Sequence, residues 1–429
     1  MSAGGERRGP LARLADLGPG LAMAATGVGA GDLAAAMFAG ARFGEALLWA
    51  IALGACVKFA LNEGIARWQL ATGTPLLEGW CRHLGRPFRY YFLAYLVFWS
   101  FVVGGALMSA CGVAAHALVP SLSIGAWGAL HSLVAFALVL GGRYALFERV
   151  MSILAAFMVA SLLLSAAFFV RDFGAVARGL FVPSLPLGSA TAVLGLVGGI
   201  GGSVSLLAYG YWIRERGWIG AANVRRVRVD LAIAYALTGL FGMAVLVLAS
   251  QSLGARSGGA IDSIPAGSKG LIALADTLRD ALAERLGPHA GGVARTTFLL
   301  GVWATVFTSV LGVWQGIPYL FADFRAAFAG RFGERVDTRG RAYRGYLIYI
   351  AFVPMVLLTL GRPVWLILAY TVVSSAFMPL LAGSLLWLNS RRALVGGLRN
   401  GVSVTAVLTA ALLLLALLAF QEVREAVAP

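Results

Sequence analysis

Ala25-Thr26-Gly27-Val28-Gly29-Ala30-Gly31-Asp32 interrupts the first long apolar stretch of the chain with alternate glycines that end on a carboxylate. Far downstream, Gly198-Gly199-Ile200-Gly201-Gly202-Ser203-Val204-Ser205 interrupts a second apolar stretch with a denser glycine cluster. A glycine inside a helix costs about 1 kcal/mol relative to alanine, so both clusters predict local unwinding. Unwound backbone at bilayer depth survives only where protein buries it or where it lines a hydrated cavity. Close helix packing is the plainer alternative, but packing motifs space small residues by four rather than by one or two.

The surrounding composition places both breaks in a membrane. The 429 residues are 60% hydrophobic and 12% charged, with a mean hydropathy of +0.84. Soluble domains carry about a quarter charged residues, and here too little polar surface exists to cover a soluble core. Apolar runs of about 20 residues predict eleven spans, at 19–41, 46–72, 89–118, 124–142, 150–170, 190–213, 229–251, 293–322, 345–361, 364–389 and 400–420. The first is not a cleavable signal, since no processing site closes it and another apolar stretch follows at once.

The breaks fall in spans 1 and 6. A repeat of five helices is odd, so a second copy starts from the opposite face. The expected fold is an all-α polytopic membrane protein with an inverted five-plus-five repeat of the LeuT type. Residues 19–170 form one repeat, 190–389 the other, 1–18 a segment before them and 400–420 an additional helix. Interrupted helices in corresponding positions of two halves point to a transporter's midplane binding site.

A formal charge of +15 would suggest nucleic acid in a soluble protein. Here the basic residues sort by segment. Arg7, Arg8, Arg13, Arg82, Arg86, Arg89, Arg143 and Arg149 lie on one expected side, with the clusters 214–228, 325–344 and 391–399. They outnumber those on the other side by about two to one, which predicts a cytoplasmic N-terminus, an extracytoplasmic C-terminus and no nucleic-acid partner. The expected setting is the lipid bilayer of a bacterial inner (plasma) membrane. The long loop 252–292 carries Leu271, Leu274, Leu278, Leu282 and Leu286 at helical spacing, a lid packed on the outer surface. Cys56, Cys81 and Cys111 lack metal-site spacing.

Asp32 is the sharpest candidate, because an intramembrane carboxylate is functional by default. It can coordinate a cation, exchange a proton, or cap the second half of span 1, and these roles coexist. The hydroxyls of Ser203 and Ser205 and the freed carbonyls around Gly29, Ala30 and Gly201 offer hard oxygen ligands, with Tyr209 beyond them. Neither break contains Met or Cys, so no soft-metal site is visible in them. Thr308, Ser309 and Gln315 in span 8, and Thr371 and Ser375 in span 10, are candidates for a coupling-ion site or for support of the first ligands. Span 2 carries Lys58, Asn62, Glu63 and Arg67; Glu63 and Arg67, spaced i, i+4, are read as a structural ion pair, with an ion pathway through Lys58, Glu63 and Arg67 as the alternative. His116 and His131 are read as hydrogen-bonded structural residues. No nucleophile–base set or phosphate loop occurs, so an enzyme is not expected.

Gly18-Pro19-Gly20 before the first break and Ala39-Gly40-Ala41-Arg42-Phe43-Gly44 after it resemble the Nramp family of divalent-metal transporters. So do Leu274-Ala275-Asp276, Pro379-Leu380-Leu381 and Trp387-Leu388-Asn389-Ser390-Arg391-Arg392-Ala393-Leu394-Val395-Gly396. The resemblance implies the inverted fold, eleven spans, a transported cation rather than a covalently bound cofactor, and proton coupling. It also locates departures. The family's Asp-Pro-Gly-Asn aligns with Gly29-Ala30-Gly31-Asp32, and its Met-Pro-His-Asn with Ser205-Leu206-Leu207-Ala208. A glutamine ligand of span 10 falls on or near Val372.

These substitutions imply an all-oxygen site for a hard cation that keeps part of its water. The leading expectation is a secondary transporter of a divalent or other hard cation, working by alternating access with Asp32 as charged ligand. A sodium-coupled carrier of a small organic solute on the same fold is the alternative, its carboxylate resting on half-helix N-termini. A non-transporting relative is the third reading.

Overall fold

The computed structural model describes residues 18–141, 144–170, 172–199, 201–254 and 268–427, and every regular element among them is helical. The expected N-terminal segment and the start of the long loop lie outside the described residues. Each expected span meets a helix or a broken pair. Span 1 is Gly18–Gly27 followed by Ala30–Phe43, and span 6 is Ala190–Gly199 followed by a 3-10 turn, Val204–Leu207, and Ala208–Glu215. The intact spans include Leu48–Thr72, Gly85–Leu118, Ile124–Leu140, Tyr144–Phe169, Val224–Ala249 and Pro288–Phe328. Among the described residues, seven helical stretches are long and apolar enough to cross a membrane, or eight counting one bent pair. The difference from eleven arises because the second half of span 1 runs on into span 2 as one stretch, span 4 is short, span 6 is broken and span 11 belongs to the bent pair.

Local chemistry explains where the helices stop. Ser123 caps Ile124–Leu140 by accepting from the Ala126 N–H, and Pro288 opens its helix where no N–H partner is needed. Span 9 runs as an α-helix over Arg341–Phe352 and tightens to a 3-10 helix over Val353–Leu360, where Pro354 withholds a donor. Span 10 divides into Pro363–Ser375 and Phe377–Asn389. Pro379 is the cause, because its ring crowds the carbonyl four residues earlier, at Ser375. Two short helices not foreseen from apolar runs, Leu76–His83 and Phe173–Phe181, lie in connections.

Spans 1, 2, 3, 6, 7 and 8 supply most of the buried core, while Leu133, Ile153, Leu164, Val356 and Leu413 are exposed on the flanking spans as lipid-facing side chains. The long loop's helix, Ser268–Leu286, buries Leu271, Leu274, Leu278 and Leu282. Leu286, at its end, is exposed instead. Glycines set the closest approaches. A Cβ on Gly27 would stand 2.9 Å from the Gly201 carbonyl oxygen, so the two breaks meet backbone to backbone. A Cβ on Gly40 would run into the Leu246 carbonyl of span 7. Gly40→Ala is therefore expected to destabilise by about 1–3 kcal/mol despite its better helix propensity. Thermal unfolding of the purified protein checks this.

Candidate functional site

The first break is two residues long. The helix ends at Gly27, Val28 bends with its N–H still on the Ala24 carbonyl, Gly29 is extended, and Ala30 begins the second half. The residue in the N-cap position is Gly29, and Asp32 stands at the third helical position, not at the cap itself. Its Oδ2 accepts from the Gly29 N–H at 2.7 Å, the carboxylate arm of a capping box. Its Oδ1 accepts from the Gly201 N–H at 3.0 Å, across the interface in the second break. One carboxylate thus ties both unwound segments together while being only 6% exposed.

The second break is built by Gly201 and Gly202, with φ of +87° and +86°, a region that side-chain-bearing residues rarely adopt. That turn directs the Gly202 carbonyl toward span 2, where the Lys58 Nζ donates to it at 2.5 Å. The same ammonium lies 3.4 Å from the Met378 Sδ of span 10. Ser205 lies beside Gly202, its Oγ 2.6 Å from where a Cβ on that glycine would sit. The Tyr370 phenol of span 10 neighbours the hydroxyls of Ser203 and Ser374.

Span 8 closes the back of the first break. Thr308 Oγ1 donates to the Ala25 carbonyl at 3.0 Å, and Ser309 Oγ donates to the Val28 carbonyl at 2.7 Å. These hydroxyls satisfy carbonyls that unwinding has freed. Ser309→Ala would strand a buried acceptor, at a cost of about 1–3 kcal/mol, expected as a lowered melting temperature that Ser309→Thr largely restores. Span 10 approaches from the side, with the Thr371 methyl 3.0 Å from a Cβ placed on Gly31. The Ser375 side chain lies outside the described residues.

Other predicted residues sit elsewhere. Tyr209 points away from the breaks and donates to Asp230 Oδ2 at 2.7 Å. Gln315 lies beside the second half of span 6, its Oε1 accepting from Trp212 Nε1 at 2.8 Å. Glu63 and Arg67 occupy a different face of span 2 from Lys58. Glu63 pairs with Arg67 at 3.1 Å and Arg228 at 2.9 Å, on the arginine-rich side. His131 bridges the Trp127 carbonyl and Trp303 Nε1, and His116 contacts the Leu122 carbonyl.

Three features were not anticipated from the sequence. Lys58 enters the break, Met378 brings a thioether beside it, and the buried acids Asp230 and Asp323 line the second half of span 6. Tyr211 donates to Asp323 at 2.8 Å, and at the exposed end of that helix Tyr319 donates to Glu215 at 2.6 Å. Glu78, in the connection Leu76–His83, accepts from the Gly333 N–H at 2.9 Å. Burial raises its carboxyl above the ordinary range, against the lowering effect of that N–H and of Arg214 and Arg82. The fused helix 288–328 carries Asp323 beyond the span's predicted end, and Asp230 lies one residue inside span 7. Among the described residues no three His, Cys, Asp or Glu side chains converge on a metal-sized site.

Residues 20–423 match the family described as natural resistance-associated macrophage protein-like, Nramp. The divalent metal cation transporter MntH of Verminephrobacter eiseniae (strain EF01-2) is 26% identical over 434 residues, covering 98% of this chain and 90% of that protein. Among solved structures, the Eremococcus coleocola manganese transporter bound to an aromatic bis-isothiourea compound superposes with a TM-score of 0.75. That pair is 17% identical, over 98% of this chain and 88% of the other. MhsT in complex with L-phenylalanine gives 0.66 at 16% identity, over 94% of this chain and 98% of that one. The two structural likenesses establish the LeuT-type fold.

Proposed function

The chain belongs to the Nramp (natural resistance-associated macrophage protein-like) family, and on that premise we propose that its cargo is a hard divalent cation held between the breaks of spans 1 and 6. It is a secondary transporter of that family and not an enzyme. One observation carries the proposal: the Asp32 carboxylate, buried and hydrogen-bonded to both unwound segments. A single carboxylate with hydroxyls and carbonyls around it suits an ion that keeps part of its water, as Mg²⁺ tends to do. Ser203, Ser205 and the Gly202 carbonyl complete the shell. The Gly29 carbonyl already accepts from the Leu33 N–H, and the Tyr209 hydroxyl is engaged by Asp230, so both stand outside it.

The organic-solute alternative is less well supported. Its carboxylate would need the N–H groups at the breaks, and Asp32 holds those of Gly29 and Gly201. Sodium coupling fares similarly, because Thr308 and Ser309 donate into the carbonyls that such an ion would use. Proton coupling is our reading. So is a cytoplasmic N-terminus in a bacterial inner membrane, which the arginine-rich loops on one side support.

Proteoliposome uptake of Mn²⁺, Mg²⁺ and Ca²⁺ tests the proposal. Accumulation of at least one of them above empty vesicles is expected. No uptake, together with no calorimetric binding of any of the three, would overturn it.

A further inference from the structure

Of 34 basic residues only Lys58 and Lys269 are lysines, so arginine is the chain's default cation and Lys58 departs from it. Lys58 has 0% exposure, a state lysines almost never occupy without a partner. Its partners come from separate elements. The ammonium donates to the Gly202 carbonyl of span 6 at 2.5 Å, contacts Met378 Sδ of span 10 at 3.4 Å, and interacts with the Asp32 charge of span 1. The carbonyl and the carboxylate are oxygen donors of the kind the proposed hard cation would collect, with the Met378 thioether standing beside the ammonium. Only a compact charge on a flexible stem fits this arrangement. The planar fork of arginine is larger and needs several acceptors.

We infer that Lys58 is a tethered cation standing in the cargo position, and that an arriving ion binds by displacing its ammonium from the Gly202 carbonyl. The inference rests on the reading that cargo binds between the breaks at Asp32. With Lys58 in place, the site's two formal charges cancel. A divalent ion would then gain no net charge attraction and would meet a like charge beside its ligand. Lys58 therefore sets affinity and specificity: it keeps divalent binding weak and admits only ions able to compete for the carbonyl. Its own helix offers no other acid on that face, since Asn62, one turn on, donates to the neutral Tyr235 hydroxyl at 3.1 Å and Glu63 faces Arg67 and Arg228.

Calorimetry with Mn²⁺ and Mg²⁺ on the full-length protein in nanodiscs tests this with Lys58→Gln, Lys58→Met and Asp32→Asn. Lys58→Gln keeps an N–H donor for the Gly202 carbonyl while removing the charge, so it remains informative if Lys58→Met fails to fold. Both Lys58 variants are expected to bind about tenfold or more tightly than the wild type, a gain of about 1.4 kcal/mol per decade. Asp32→Asn is expected to lose binding. A Lys58→Gln protein with wild-type melting temperature and unchanged affinity, while Asp32→Asn still loses binding, overturns the Lys58 inference and leaves the cargo reading standing. Undiminished binding by Asp32→Asn overturns the cargo reading itself. Binding in none of the proteins overturns both.

Discussion

Asp32→Ala is expected to reduce divalent-cation uptake into proteoliposomes by about a hundredfold, because it removes the single charged ligand of the proposed site. The substitution does more than subtract a charge. It frees the N–H groups of Gly29 and Gly201, which the carboxylate holds at 2.7 and 3.0 Å. It also leaves the Lys58 ammonium without its nearby anion. Some stability is therefore lost as well, which is why Asp32→Asn is the cleaner comparison. The amide can still accept one of the two N–H bonds and keeps the side-chain volume. If Asn at this position transports at the wild-type rate, the carboxylate is a helix cap and no more. Uptake measured at matched protein incorporation separates the two outcomes.

Glu63→Ala is expected to produce the largest loss of stability, about 3–5 kcal/mol. Glu63 and Arg67 are 6% and 4% exposed, and Arg228 reaches the same carboxylate from span 7. Without Glu63, the Arg67 guanidinium stays buried with, among the described residues, only the Leu398 carbonyl, at 3.5 Å, left to it. An unpaired buried charge costs far more than the intact pair contributes. The double variant Glu63→Ala with Arg67→Met should accordingly recover part of the loss. Melting temperatures of the purified proteins give the comparison. A double variant less stable than Glu63→Ala alone would contradict this account.

The fold was legible because unwinding has a crude signal. Glycine clusters at 27–31 and 198–202 mark the breaks to within a residue or two, and apolar length marks the spans around them. Span ends were less legible where proline acted locally. Pro354 converts the end of span 9 to a 3-10 helix, and Pro379 divides span 10. Neither residue alters the apolar run that the span was read from.

The candidate site was half legible. Asp32 stood out because it is a carboxylate at a break, and Thr308 and Ser309 because span 8 was expected beside it. Lys58 was grouped with Glu63 and Arg67 by closeness in sequence. Five residues along an α-helix turn the side chain about 140° away. Lys58 therefore reaches the second break and Asn62 the Tyr235 hydroxyl, while Glu63 turns toward Arg67 and Arg228. Met378 could not be read as a neighbour of Lys58, since the contact spans most of the chain and depends on how span 10 bends. The buried acids Asp230 and Asp323 were hidden for another reason: at helix ends, sequence does not distinguish a solvated carboxylate from one covered by a tyrosine.

The most direct measurement of the central claim is anomalous diffraction from crystals of the full-length protein soaked in Mn²⁺. The account predicts a peak between Asp32 and Ser205, about 2.0–2.6 Å from a carboxylate oxygen, with the Lys58 ammonium withdrawn from the Gly202 carbonyl. Manganese density elsewhere in the protein, with Asp32 still bound to Gly29 and Gly201 and Lys58 unmoved, would contradict it.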